Sequence, residues 1–272
     1  MTDRITSWTL REFKAAGKLI AGLTAYDYPT AMLVDQAGLD LILVGDSLGR
    51  IILGHTRIEQ TTINEMIHHC AAVSRGSAHA LVVGDMPFGT YEIAPDKAVE
   101  NALRLMKEGG VGAVKVEGGL EVVPALRGLA AAHIPVVGHL EMSHVQRAAR
   151  SLDEQQSRLI HAAIMLEEAG ADAIVLVGLD AGLAKEVTAA LKSIPTVGYQ
   201  SGPYCDGQLL VTPYMLGLLP PEAPIPGPYG ALGKQLSDIF AHFRDDVQMR
   251  TFLTQGNNEQ ERQSPPCSGS PD

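Results

Sequence analysis

The sequence predicts a (β/α)8 barrel, and three observations predict it. Short apolar, β-branched runs alternate with longer stretches of helical periodicity, the pattern of βα units wound around a parallel sheet. Eight such runs occur in 272 residues, close to the usual length of one barrel. The rival is a doubly wound open sheet that binds a dinucleotide, which would carry a Gly-rich phosphate turn after an early strand. Neither G-x-G-x-x-G nor a Walker-type Gly-Lys-Ser/Thr occurs.

In chain order, strands are expected near Leu19–Ala25, Leu39–Asp46, His79–Met86, Gly112–Gly118, Pro135–His139, Asp172–Leu179 and Ile194–Gln200. A weaker eighth is expected near Leu209–Thr212. Pro95 can open a helix at its first turn, after which Ala98, Ala102 and Leu105 share one face. A second helix is expected from Asp153 to Glu168, with Leu159, Ala163 and Leu166 on one stripe before Gly170 stops it. Residues 1–253 are read as a single barrel domain with N- and C-terminal helices. The last helix is placed near Tyr229–Val247, after the stiff proline-rich loop Pro220–Pro228. Residues 254–272 have almost nothing to bury and are expected to be a disordered tail.

A formal charge of −10 argues against broad binding to nucleic acid or anionic membranes. It does not exclude anionic small molecules, since a metal ion or one lysine reverses the sign locally. The three cysteines, Cys70, Cys205 and Cys267, are far apart without a C-x-x-C, which favours a reducing compartment over a disulfide framework. With no apolar run approaching the roughly 20 residues of a membrane span, the chain is expected to be soluble and cytoplasmic.

The polar residues fall at informative places. Apolar strands end in Gly45-Asp46-Ser47, in Gly84-Asp85-Met86, in Lys115-Val116-Glu117 and in His139-Leu140-Glu141. In a barrel these C-terminal ends converge on one rim, where active sites are built. Asp46 and Asp85, with Glu117 from a neighbouring strand, make an all-oxygen site suited to Mg2+. Lys115 and His139 beside them can neutralise the carboxylate and carbonyl of an oxo acid. Each group also has an ordinary structural role open to it: an aspartate after a strand caps a helix or turn, Lys115 pairs with Glu117, and His139 is a hydrogen-bonded core residue. The coincidence on four consecutive strands favours a functional cluster.

Gly45-Asp46-Ser47-Leu48-Gly49 matches the G-x-S-x-G nucleophile elbow formally, but the following Arg50–His55 reads as extended and loop-like, whereas the elbow needs a helix there. His68-His69 lacks a H-E-x-x-H spacing and is read as a packing or surface pair. Cys205 is expected near the mouth, as a weak nucleophile without a partner base.

Leu23-Thr-Ala-Tyr-Asp27-Tyr, Val44-Gly-Asp-Ser-Leu-Gly49, Gly84-Asp-Met-Pro-Phe88, Val114-Lys-Val-Glu-Gly-Gly119, Gly138-His-Leu140 and Asp206-Gly-Gln208 occur in this order. Together they resemble the ketopantoate hydroxymethyltransferase (3-methyl-2-oxobutanoate hydroxymethyltransferase) family over roughly residues 8 to 218. The resemblance implies a barrel of the phosphoenolpyruvate mutase/isocitrate lyase kind, often a homo-oligomeric decamer. It also implies Mg2+, 5,10-methylenetetrahydrofolate as one-carbon donor, a small 2-oxo acid substrate and a place in pantothenate synthesis. Asp46 and Asp85 match the family's metal-binding aspartates, with Glu117 close to the metal or its water. Ser47, Lys115 and His139 match residues that hold the oxo acid.

Three departures from the resemblance stand out. Where the family's strand six carries a general-base glutamate, this chain has Val177, and valine cannot accept a proton. Gly-His-Leu-Gly-Leu-x-Pro-Gln becomes Gly138-His-Leu-Glu141-Met-Ser-His-Val-Gln146, and Gly-Ile-Gly-Ala-Gly becomes Gly198-Tyr-Gln-Ser-Gly202. Three readings stay open. One is an aldol-type hydroxymethyltransferase in which Glu141, or else Asp180, replaces the lost base; for Glu141 a salt bridge with Arg147 or Arg150 is the structural alternative. The second is a Mg2+-dependent carbon–carbon lyase or decarboxylase acting on another 2-oxo acid. The third is a non-catalytic, metabolite-binding homologue.

Overall fold

A computed structural model describes residues 4–146, 151–219 and 229–251. The chain divides into two compact units, Met1–Thr212 and Pro213–Asp272. The first holds eight parallel strands in a closed barrel, in chain order. They are β1 (Ile20–Thr24), β2 (Leu41–Val44), β3 (Leu81–Asp85), β4 (Ala113–Glu117), β5 (Val136–Glu141), β6 (Ala173–Val177), β7 (Thr196–Tyr199) and β8 (Gly207–Leu210). The eighth strand thus begins before the Leu209 expected from sequence. The expected tail, the Pro220–Pro228 loop, and Arg147 and Arg150 all lie outside the described residues.

The helices of this unit are α1 (Ser7–Ala16), α2 (Tyr28–Gln36), α3 (Leu48–Ile51), α4 (Ile63–Gly76), α5 (Pro95–Gly109), α6 (Val123–Ala131), α7 (Ser143–Gln146), α8 (Leu152–Glu168) and α9 (Ala181–Ala190); α10 (Thr212–Met215) begins on its last residue and runs into the second unit's sequence. Their starts follow from local chemistry. Thr62 caps α4 by accepting from the Glu65 N–H, and the Glu65 side chain reaches back to the Thr62 N–H, closing a capping box. Pro95 occupies the first turn of α5, as its fixed φ favours. In the second unit α11 (Leu232–Met249) starts three residues later than expected, and the Leu232 N–H bonds to the Leu216 carbonyl.

Alternation along each strand builds two cores. Outward residues such as Ile42, Val82, Val114, Leu140 and Leu176 pack under the helices. Inward residues, Leu41, Leu43, Leu81, Val83, Ala113, Val137, Val175, Val197 and Leu209, fill the barrel, and Leu10 of α1 joins them at full burial. A fully buried leucine contributes about 1.5–3 kcal/mol of transfer free energy. Two residues further along the same inward rows stand Asp85, Lys115, His139 and Val177. The barrel interior therefore turns from apolar to ionisable toward its C-terminal mouth.

Candidate active site

Asp85 closes β3 and Lys115 lies opposite it in register on β4. Both are buried, and the Lys115 Nζ stands 3.0 Å from Asp85 Oδ1 as an ion pair. The other Asp85 oxygen accepts the Asp46 N–H at 3.0 Å, which ties the loop after β2 to β3. Gly45 makes that approach possible: a Cβ there would lie 2.9 Å from Ser47 Oγ and 3.5 Å from Asp85 Oδ2. Ser47 Oγ is 3.2 Å from the hydroxyl of buried Tyr26.

Lys115 also reaches His139 on β5, with Nζ 3.1 Å from Nδ1. An ammonium only donates, so Nδ1 accepts, and in the neutral ring the proton sits on Nε2. Burial and the adjacent Lys115 charge push the His139 pKa down to about 3, so the ring is neutral. Burial works against the Lys115 ammonium too, but Asp85, Glu117 and Asp46 around it hold its pKa above the usual value. Among the described residues, His139 Nε2 is buried without a hydrogen-bond partner, and Asp85 Oδ1 has none beyond the Lys115 ammonium. Buried polar atoms are normally satisfied, so the orphaned Nε2 marks where a ligand would bind.

The acids are crowded. Burial raises the Asp46 pKa to about 7, Asp85 and Glu117 add to the shift, and Lys115 opposes it. Burial likewise pushes the Asp85 carboxyl up, against Lys115 and the Asp46 N–H, which favour its charged form. Glu117 goes the other way. Burial would raise its pKa, but His144, His139 and Lys115 hold it well below the usual carboxylate range. Its two oxygens lie 3.4 Å from His139 Nδ1 and 3.7 Å from His144 Nε2. Glu117 thus leans toward the histidines, and its ligand atoms group with those of Glu141 and His144 within 4.8 Å.

Glu141 ends β5, half-buried, with its register partner Val177 on β6. It accepts a hydrogen bond from the Ser143 hydroxyl, while its own N–H donates to His144 Nδ1. Asp180, the other possible base, is engaged as the cap of α9 and accepts the Gly182 N–H at 2.8 Å.

Several expectations are corrected. The segment after Ser47 is not extended from the start: Leu48–Ile51 form one short helical turn, with Ser47 as its N-cap. The neighbour of Ser47 is Tyr26, not a histidine. Cys205 is not at the mouth. It is buried beside Thr196 and Thr188 near the start of β7, where burial pushes its thiol up. Asp206 stands before β8 and pairs with Lys14 at the opposite end of the barrel. His69 packs, with Nδ1 2.6 Å from the Tyr26 carbonyl. Sequence reasoning passed over Tyr26, His144 and Tyr91, whose hydroxyl donates to the Glu117 carbonyl at 2.9 Å. His144 had a legible signal, a histidine in the loop directly after an acid-ended strand.

An eight-stranded parallel barrel with its ionisable groups at the strand C-termini is the layout of a (β/α)8-barrel enzyme. A solved 2,3-dimethylmalate lyase, a member of the phosphoenolpyruvate mutase/isocitrate lyase superfamily, superposes with a TM-score of 0.62 at 17% identity, over 94% of this chain and 92% of its own. A phosphonopyruvate hydrolase in complex with oxalate and Mg2+ superposes with a TM-score of 0.65 at 15% identity, over 94% and 93%. At such identities the likeness is one of fold. Residues 4–255 match the ketopantoate hydroxymethyltransferase family, and the chain belongs to it, a family of transferases. Among its relatives, the 3-methyl-2-oxobutanoate hydroxymethyltransferase of Heliobacterium modesticaldum is 46% identical over 80% of this chain and 81% of its own. That of Moorella thermoacetica is 43% identical over 93% and 97%. Among the described residues, no helix is long and apolar enough to cross a membrane.

Proposed function

We propose that this protein adds a hydroxymethyl group to C3 of a branched 2-oxo acid of the 3-methyl-2-oxobutanoate type, using Asp46, Asp85 and Glu117 for Mg2+, Lys115, His139 and Ser47 for the substrate, and Glu141 as the base. The single observation that carries the reading is the unpartnered, buried Nε2 of His139 beside the Asp85–Lys115 ion pair at the mouth. Its N–H suits an anionic, carbonyl-bearing ligand, and the surplus of carboxylates around Lys115 suits a cation.

The donor set fits Mg2+. Carboxylate oxygens are hard ligands, three acids surround the single Lys115 ammonium, and water can complete the octahedron. Asp46 and Asp85 would hold the ion, with Glu117 acting at its water, and the ion would supply the positive charge that makes the C–H next to an oxo group acidic. The remaining chemistry belongs to the chain. The Lys115 ammonium, fixed between Asp85 and His139, gives positive charge for the substrate carboxylate. The neutral His139 donates Nε2–H to a developing oxyanion without losing a proton. Glu141, at the strand end beside Val177, takes the proton from C3, and the Ser143 hydroxyl holds its carboxylate. The carbanion then bonds to the methylene carbon of the one-carbon carrier, which by resemblance is 5,10-methylenetetrahydrofolate; both C–N bonds of that carbon break, water supplies the hydroxyl, and the carrier's two nitrogens take up the proton from Glu141 and the one released by water. A homo-oligomer is proposed on the same ground.

The test is exchange of the C3 proton of 3-methyl-2-oxobutanoate for deuterium, followed by NMR with Mg2+ and without folate. Exchange by the wild type that is lost in Glu141→Gln is the expected result. No exchange by the wild type, or undiminished exchange in Glu141→Gln, would overturn the assignment of the base.

A further inference from the structure

Three described non-glycine residues have positive φ. His133 (φ 57°) and Arg250 (φ 57°) follow the ends of α6 and α11, where a left-handed residue is a common way to close a helix. Gln200 (φ 54°) differs, because it follows a strand, β7, at the mouth of the barrel. Glycine would take this conformation freely, whereas a side chain is strained in it. Such strain persists only where the surroundings over-determine it, and it concentrates at functional sites.

The surroundings here do over-determine it. The Tyr199 carbonyl accepts the Gly178 N–H at 2.9 Å. Ser201, fully buried, accepts the Leu179 N–H at 3.2 Å, and its hydroxyl lies 2.8 Å from the Leu176 carbonyl and 3.1 Å from that of Tyr199. Gly202 follows in a left-handed turn packed so closely on α9 that a Cβ would come within 2.5 Å of Ala181 Cβ. The Gln208 amide holds the Gly202 carbonyl at 2.9 Å. Gln200 is therefore pinned on both sides.

The pinned residue is coupled to the inner wall. Val197 belongs to the barrel interior, so Tyr199, two residues on, faces the same way. Its register partner is Val177, and the partner of Val177 is Glu141. The Gln200 Nε2 donates to the Tyr199 hydroxyl at 3.4 Å, and both side chains are half-buried. An aromatic ring and a valine thus stand side by side on strands 6 and 7, next to the proposed base on strand 5.

We propose that Gln200 is a positioning residue for substrate selection: its constrained backbone and its amide hold the Tyr199 ring beside Val177, and these two side chains form the wall that receives the branched alkyl group of the 2-oxo acid. This rests on the reading of the site given above and deepens it. The wall is apolar where the substrate's methyl groups would sit, and its only polar edge, the phenol, is oriented by Gln200.

The test is calorimetric binding of 3-methyl-2-oxobutanoate and of unbranched 2-oxobutanoate, each with Mg2+, to the wild type, Q200G, Y199F and the double variant, with Tm recorded for all. The wild type is expected to prefer the branched acid about 10-fold, the worth of a methyl group in a shaped pocket. Q200G is expected to gain roughly 2–4 °C in Tm as strain is released, while the preference falls to about 3-fold or less. Y199F should reduce the preference similarly, and the double variant no further, because the two residues act through one hydrogen bond. A preference that survives Q200G, or additive losses in the double variant, would overturn this inference alone. A wild type that binds neither acid would overturn it together with the proposed substrate.

Discussion

The two ends of the barrel treat aspartate in opposite ways. At the N-terminal end each buried or half-buried acid has fixed partners. Asp40 pairs with Lys18 at 2.9 Å and accepts the Ala21 N–H, Asp172 pairs with Arg11 at 2.9 Å and accepts the Val136 N–H, and Asp206 pairs with Lys14 and accepts the Thr196 N–H. Asp35 has no cation but accepts the N–H groups of Ala78, His79 and Ala80 and the Ser77 hydroxyl. At the C-terminal end Asp46, Asp85 and Glu117 share one buried cation, Lys115, and His139 beside it is neutral. The same residue type that fastens strands and helices at one end leaves uncancelled negative charge at the other. That imbalance is what the proposed function rests on, without reference to any relative.

The contrast is open to direct attack. The largest effect is expected from Asp46→Asn. It should cut kcat/KM by roughly 10^3-fold, about 4 kcal/mol of transition-state stabilisation, without lowering Tm, because crowding already disfavours the charged form of this acid. Steady-state kinetics and calorimetry check this, and a Tm loss as large as that of a base-end variant would erase the distinction between the ends. Next comes Glu141→Gln, expected to slow proton abstraction by about 10^2-fold or more, the usual worth of a positioned base.

Asp35→Asn should behave in the reverse sense, costing roughly 2–3 kcal/mol of stability with turnover per folded molecule unchanged. Its pH dependence has a definite sign. Burial would raise the Asp35 pKa, but the three N–H groups and Ser77 hold it below the ordinary value. The stability it supplies is therefore fully present above about pH 4, the value for an unfolded aspartate, and is lost as pH falls through the lower, folded value. Denaturant titrations of the wild type should show that acid limb, and Asp35→Asn should flatten it. The smallest effect is expected from Lys18→Ala. That lysine is half-exposed, so losing its pair with Asp40 should cost less than about 1 kcal/mol by urea unfolding.

Much of this molecule was legible before folding. Continuous apolar runs separated by stretches of helical periodicity specify a parallel barrel because each strand must be apolar on both faces over most of its length. Asp46, Asp85, Lys115, Glu117 and His139 stood out for the converse reason: they interrupt those runs at the strand end where a barrel opens. The extent of the short turn at Leu48–Ile51 and the place of Cys205 were misread. A four-residue helix leaves little periodicity to detect, and the β7–β8 connection carries no helix, so the chain returns to the far end of the barrel within a few residues.

The sequence by itself determined the strands, their order and which ionisable residues reach the mouth, since these depend on periodicity and chain connectivity alone. Only the tertiary structure decided how those residues divide the charge among themselves. It is the register of β3, β4 and β5 that sets Lys115 between Asp85 and His139, fixes the proton of His139 on Nε2 and draws Glu117 toward His144. The same closure brings Glu141, Val177 and Tyr199 into one row across three strands that lie tens of residues apart in the chain. Side-chain pairing across strands depends on register and burial, and neither is written in local spacing.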